Sequence, residues 1–181
     1  LFKLKATPSM LATRKYFYVV IALILAQVGM GVITAHYAVE GTSFFGIPLG
    51  ELLPFTVSRT IHTQFAVLWI ATAWLATGLY VAPMLAGRDP IYQRFGVNFL
   101  FISLLVIVVG SFAGQWAAVH RLFGTLKANF WFGHQGYEYV DLGRFWQIYL
   151  LVGLLLWVAL VVRALWPVLQ EKGSKSLIYL V

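Results

Sequence analysis

Three observations predict an all-α fold: a polytopic transmembrane helix bundle with four complete spans and the start of a fifth. Hydrophobic residues make up 61% of the chain and charged residues only 10%, whereas a soluble domain is about half apolar and a quarter charged. The mean hydropathy is correspondingly high, at +0.83. The apolar runs exceed the ~20 residues that a helix needs to cross hydrocarbon, and helices satisfy their backbone polar groups internally, as a bilayer demands. There is no cysteine, which excludes a disulfide framework, a thiolate metal site and haem attached through a Cys-x-x-Cys-His motif. Any metal chemistry must therefore use histidine and carboxylate ligands. The net charge of +7 would suit nucleic acid, but basic residues at the ends of apolar helices are more simply topology signals, so no nucleic-acid partner is expected.

Residues 1–15 carry Lys3, Lys5, Arg14 and Lys15 around Pro8 without an apolar core or a small-residue cleavage site. That is the pattern of a juxtamembrane segment rather than a signal peptide. Residues 16–181 read as transmembrane domain. The first span covers 16–39, and Gly29 and Gly31 near its middle permit close helix contact. Residues 40–58, rich in Gly and Pro, are expected to lie along the membrane surface. The second span, 59–85, ends at Pro83 and the turn Gly87-Arg88-Asp89-Pro90. Its interior Trp69 and Trp74 point either to a partner or cofactor or to ordinary core packing. The third span covers 95–119, where Gly110 and Gly114 form a small-xxx-small pair. Residues 120–141 make a second surface segment, too long for a simple turn. The fourth span, 142–166, is closed by Pro167, and a fifth begins near 177.

Three groups of residues stand out chemically. Ionisable residues at membrane depth are costly and are functional candidates by default, and His62 heads the second span three residues after Arg59, on the same helical face. Ala66, Trp69 and Ala73 continue that face, against which a flat cofactor could lie; a helix-end histidine bonded to a backbone carbonyl is the plainer alternative. His36 and Glu40 are four apart, with Phe44 a further turn on if the helix persists. An imidazole, a carboxylate and an aromatic at an interface could hold and deprotonate a quinol, or they could be a local polar pair at a helix end. Glu138 and Asp141 are hard oxygen ligands three apart, suited either to calcium or to capping the next helix, and Arg144 could bond a carboxylate of that pair or of a cofactor.

Alternating spans place 40–58 and 120–141 on one side and the N-terminus, the Arg88 turn and the C-terminal tail on the other. Nine Lys and Arg fall on the latter side and four on the former. The positive-inside rule makes the nine-charge side cytoplasmic, so His36, Glu40, His62 and Glu138 all lie towards the outer side.

Pro54-Phe55-Thr56-Val57-Ser58-Arg59-Thr60-Ile61-His62-Thr63-Gln64, then Trp69-Ile70-Ala71-Thr72-Ala73-Trp74-Leu75, then Gly133-His134-Gln135-Gly136-Tyr137-Glu138-Tyr139 through Gln147 resemble the catalytic membrane subunit of bacterial nitric oxide reductases, and most of all the quinol-dependent, single-chain type. The resemblance extends from about Tyr16 to Val181. It implies membership of the haem-copper oxidase superfamily, a twelve-helix core in the bacterial inner membrane, and reduction of two NO to N2O and water with quinol as electron donor. By position, His62 would be an axial ligand of the low-spin haem b and Arg59 would stand near its propionates. Glu138 would match a ligand of a calcium ion, with Asp141 nearby, and His36, Glu40 and Phe44 would match the quinol pocket.

In that family the second haem b ligand, the proximal ligand of haem b3 and the ligands of the non-haem iron lie on later helices, so no catalytic iron ligand is expected within these residues. The expected partners are membrane lipid, quinol and the remaining helices of the reductase, from the same or another chain, and a homodimer is compatible with the reading. Two other classes stay open: a quinone-linked cytochrome b membrane anchor, which would need a second intramembrane histidine facing His62, and a haem-free membrane scaffold. The other histidines, His36, His120 and His134, fall at helix ends or in loops.

Overall fold

The computed structural model describes residues 6–136 and 140–170. The expected start of a fifth span near 177, and Glu138, lie outside the described residues. Among the described residues seven helices follow in order: α1 (Pro8–Ala12), α2 (Arg14–Glu40), α3 (Leu49–Leu52), α4 (Phe55–Ala86), α5 (Gln93–Val119), α6 (Leu126–Phe132) and α7 (Arg144–Gln170). Four are long and apolar enough to cross a membrane, with α1 and α2 counting as one span, Pro8–Glu40. The chain is an all-α, multi-pass membrane bundle.

Several boundaries differ from the sequence-based ones. The helix begins at Pro8 rather than near 16, because Thr7 caps α1 by accepting from Met10 N. The buried Thr13, whose hydroxyl donates to the Met10 carbonyl at 2.7 Å, marks a short break before α2. The second span starts at Phe55, immediately after Pro54 (φ −52°, ψ 149°), whose carbonyl accepts from the Val57 and Ser58 amides at 3.0 Å each and so opens the helix. Neither Pro83 nor Pro167 ends its helix: both sit inside, in α4 and α7. An interior proline forfeits one backbone bond, which membrane helices tolerate where their neighbours pack around the gap, and Pro83 is fully buried. The chain instead leaves α4 at Gly87, in the left-handed region with φ 67°, where glycine is favoured. The surface segment after α5 contains α6, capped by Thr125 on Ala128 N.

The pattern of exposure is that of a membrane protein. On α2, Tyr18, Ile21, Leu25, Val28 and Val32 all point outwards, an apolar stripe that would be a liability in water. Inside, Ser58, Thr72, Gln93, Ser111 and Gln115 are buried. Near the N-terminal end, Tyr16 joins Ala76, Leu79, Val97, Leu100, Leu104 and Leu160 in one core, and its hydroxyl donates to the Val97 carbonyl at 2.7 Å. At the opposite end Val57, Ile61 and Val140 form a second core with Met30, Leu53, Phe65 and Phe112 packed around it.

The α5 glycine pair makes a groove that receives α7 and the end of α6. The Trp146 ring of α7 lies against Gly110, and its Nε1 donates to the Phe132 carbonyl at 2.9 Å. That same carbonyl sits where a side chain at 114 would begin, 2.1 Å from the position of a Cβ. Gly114→Ala must therefore displace backbone, and overpacking of this kind costs about 1–3 kcal/mol. Gly29→Ala, with open space around it, should leave stability unchanged. Thermal unfolding of the two variants in detergent checks this, and equal midpoints would refute the groove.

Between α6 and α7 the His134 ring is buried. Burial pushes its pKa below the ordinary 6.5, outweighing the Asp141 carboxylate and a backbone hydrogen bond at Gly136, which pull the other way. The unfolded chain therefore takes up this proton more readily than the fold does, so stability must fall as pH drops through about 6.5 towards the lowered value. We expect the unfolding midpoint to decrease from pH 7.5 to 5.5 more steeply in the native protein than in His134→Asn. Equal slopes would remove His134 as the cause.

Candidate functional site

The seam between antiparallel helices α2 and α4 carries a ladder of polar ties. Thr34 Oγ1 and Ser58 Oγ are 2.7 Å apart. One turn further along α4, His62 Nδ1 lies 2.9 Å from the Gln27 carbonyl oxygen, and two turns beyond that Trp69 Nε1 donates to Gln27 Oε1 at 2.7 Å. Positions 58, 62 and 69 fall on one face of a 3.6-residue helix, which is why a single register satisfies all three.

Glycine makes the central tie possible. In α2 the side chain of residue 31 would overlie the carbonyl of residue 27, because Cβ atoms tilt towards the helix N-terminus. With Gly31 the imidazole takes that space, and a Cβ there would stand 2.9 Å from His62 Cε1. Gly29, expected to share this role, faces open space. A carbonyl can only accept, so Nδ1 carries the proton. Nε2 makes no hydrogen bond among the described residues, leaving its lone pair available on a half-buried ring. This is the tautomer and the supporting contact characteristic of metal-ligating histidines, so the donor chemistry at Nε2 would suit holding a haem iron. Arg59, one turn above, lies over the Phe55 ring with 5.7 Å to the centroid.

The structure also brings together His36, Glu40 and Phe44. His36 Nε2 is 3.4 Å from Glu40 Oε2 and 2.9 Å from the Ser43 carbonyl, and its ring meets that of Phe44 edge-on at 4.5 Å. Phe44 does not arrive there by continuation of the helix. The helix ends at Gly41 (φ 78°), and Phe44 and Ile47 exchange two backbone bonds across a two-residue reversal with Phe45 and Gly46 at positive φ, the form of a type I′ turn. Glu40 is half exposed while the His36 side chain is 9% exposed, so the carboxylate is the open group and the imidazole the covered one. Along α2, His36 is five residues from Gly31, about 7.5 Å at the helical rise.

The remaining candidates stand apart. His120 ends α5, its ring nitrogens facing the Trp116 and Glu51 carbonyls at 2.8 Å each. His134 belongs to the loop before α7. Asp141 Oδ1 accepts from Gln135 N at 3.1 Å, and among the described residues Arg144 donates to Gln135 Oε1. Among the described residues no three His, Asp or Glu side chains converge to hold a metal ion. Trp69 packs on α2, whereas Trp74 is largely exposed on the outside of the bundle. Gln27 was missed by spacing arguments. Its signal was that of a lone amide inside an apolar span, with a glycine four residues on.

No curated protein matches the chain. A family model described as Cytochrome C and Quinol oxidase polypeptide I matches residues 11–180. The chain therefore belongs to that family, the subunit I of haem-copper oxidases, whose members are haem- and metal-binding membrane oxidoreductases.

Proposed function

We propose that the chain forms the quinol pocket and one side of the low-spin haem b site of a quinol-dependent nitric oxide reductase, within the family to which it belongs. The observation that carries this reading is the fixed tautomer of His62, with Nδ1–H committed to the Gln27 carbonyl and the Nε2 lone pair left over. The net reaction is 2 NO + QH2 → N2O + H2O + Q, in which two electrons and two protons leave the quinol. Haem, when bound, would supply the one-electron redox chemistry.

The chain's own residues do the rest. Phe44 gives an aromatic wall for a quinol ring, edge-on to His36. The Ser43 carbonyl holds His36 Nε2–H, which leaves Nδ1 as the ring's proton acceptor. A proton accepted there leaves the positive charge beside the Glu40 carboxylate, and Glu40, being open, passes protons outwards. The short spacing along α2 between His36 and the level of His62 keeps donor and acceptor sites close. Arg59 near the haem propionates and a calcium ion held by Glu138 belong to the same reading, the latter resting on the motif alone. Haem b3 and the non-haem iron would be held by residues other than those matched here. The excess of Lys and Arg near the N-terminus supports a cytoplasmic N-terminal side in a bacterial inner membrane.

In the complete enzyme, His62→Ala should abolish the low-spin haem absorption in reduced-minus-oxidised spectra, and retention at wild-type intensity would remove the ligand assignment. Gly31→Ala should shift or weaken the same band by crowding the ring. Glu40→Ala should slow quinol-driven turnover about a hundredfold or more, within the range for lost acid–base assistance, while activity with an artificial reductant of the haem stays near wild type. Equal loss with both donors would place Glu40 elsewhere in the mechanism.

A further inference from the structure

At the opposite end of the bundle from His36, the starts of α2 and α5 meet across an open cleft of about 520 Å3 whose lining includes Arg14, Lys15, Arg94, Asn98, Leu11 and Tyr18. Three cations share it, and no carboxylate lines it among the described residues. The nearest acid in the sequence turn before α5, Asp89, is already engaged by the Ser9 amide at 2.9 Å and by the Ser9 hydroxyl. Lys15 Nζ is met instead by a neutral amide oxygen, that of Asn98 at 2.5 Å, and by the face of the Phe101 ring, 4.4 Å to the centroid. Arg94 is close enough to act on the Lys15 charge. Arg94 also occupies the first turn of α5, which holds no acidic residue, although the positive end of a helix disfavours cations and favours anions. Topology explains an excess of Lys and Arg at this end but gives no reason to gather them round one cleft, where mutual repulsion works against them.

One side of the cleft is apolar. Leu11 and Tyr18 are 50% and 71% exposed, and beyond Tyr18 the exposed stripe of Ile21, Leu25 and Val28 runs along α2 into the membrane. A ligand that carries an anion at one end and hydrocarbon at the other satisfies both halves, which a free phosphate does not. We propose that this cleft binds the phosphate group of an anionic membrane phospholipid, with Lys15 and Arg94 as its main partners, Arg14 at its rim and an acyl chain lying along the α2 stripe. Basic pockets at helix ends recognise lipid head groups in this way, each nearby cation contributing about fivefold in affinity.

The test is native mass spectrometry of the complete protein in detergent, titrated separately with dioleoyl-phosphatidylglycerol, dioleoyl-phosphatidylcholine and inorganic phosphate. We expect phosphatidylglycerol to be retained at least tenfold better than phosphatidylcholine, and Arg94→Gln to reduce that retention about fivefold. Asn98→Asp is the second variant. It is nearly isosteric, so it keeps the packing while setting a carboxylate against Lys15, and it should reduce retention by a similar factor. Equal retention of the two lipids, or Asn98→Asp binding phosphatidylglycerol as the wild type does, would overturn the proposal. So would inorganic phosphate binding as tightly as phosphatidylglycerol with the same sensitivity to Asn98→Asp, since the site would then serve a free anion.

Discussion

A membrane interior offers no water to a stranded polar group, and the α2–α4 seam is organised around that constraint. Gln27 meets it twice, through its backbone carbonyl towards His62 and through its side chain towards Trp69. Thr34 and Ser58 close the same seam one turn away. Because an unpaired polar group in such surroundings costs several kcal/mol, sliding α4 against α2 by one turn would break three ties together. The register is thereby fixed, and with it the height of His62 relative to His36. The surface segment depends on this placement: Tyr37 donates to the Leu53 carbonyl, and Trp116 and His120 bond the Leu52 and Glu51 carbonyls, pinning the wall that brings Phe44 to His36.

The other half of the bundle is held by shape more than by polarity. Indoles from α7 fill the spaces that small residues leave on α4 and α5, and each indole N–H finds a carbonyl: Trp157 that of Leu75 and Trp146 that of Phe132. Gln93 likewise reaches the Leu160 carbonyl from the start of α5. Each contact spends a side-chain donor on a backbone acceptor of a neighbouring helix, so these helices are tied without buried ion pairs among the described residues, which hydrocarbon would penalise.

How much of this the sequence revealed depended on whether the information was local. Hydropathy located the four spans, because crossing hydrocarbon requires a long apolar run whatever the tertiary contacts are. Helix ends were less legible. Proline is a reliable stop in water but only a local interruption in a packed membrane helix, so Pro83 and Pro167 misled, and Pro54 acted as a start. His36 and Glu40 were visible as a pair since four residues make one turn, yet Phe44 joins them by a chain reversal that helical spacing does not describe. His62 stood out as an ionisable group at depth, but its partner belongs to another helix 35 residues away, and no pattern along one chain segment encodes which carbonyl will be exposed to it.

The close approaches at glycine also bear on how such a sequence can drift. At Gly31 and Gly110 the obstructing neighbour is a side chain, His62 or Trp146. A smaller residue at 62 or 146 would make room for a larger one at 31 or 110, so each pair can change together and its substitutions should be energetically non-additive. At Gly114 the obstruction is the Phe132 carbonyl oxygen, part of the main chain whatever residue occupies 132. No second substitution can clear that space, and position 114 is therefore closed to compensated exchange while 31 and 110 remain open to it.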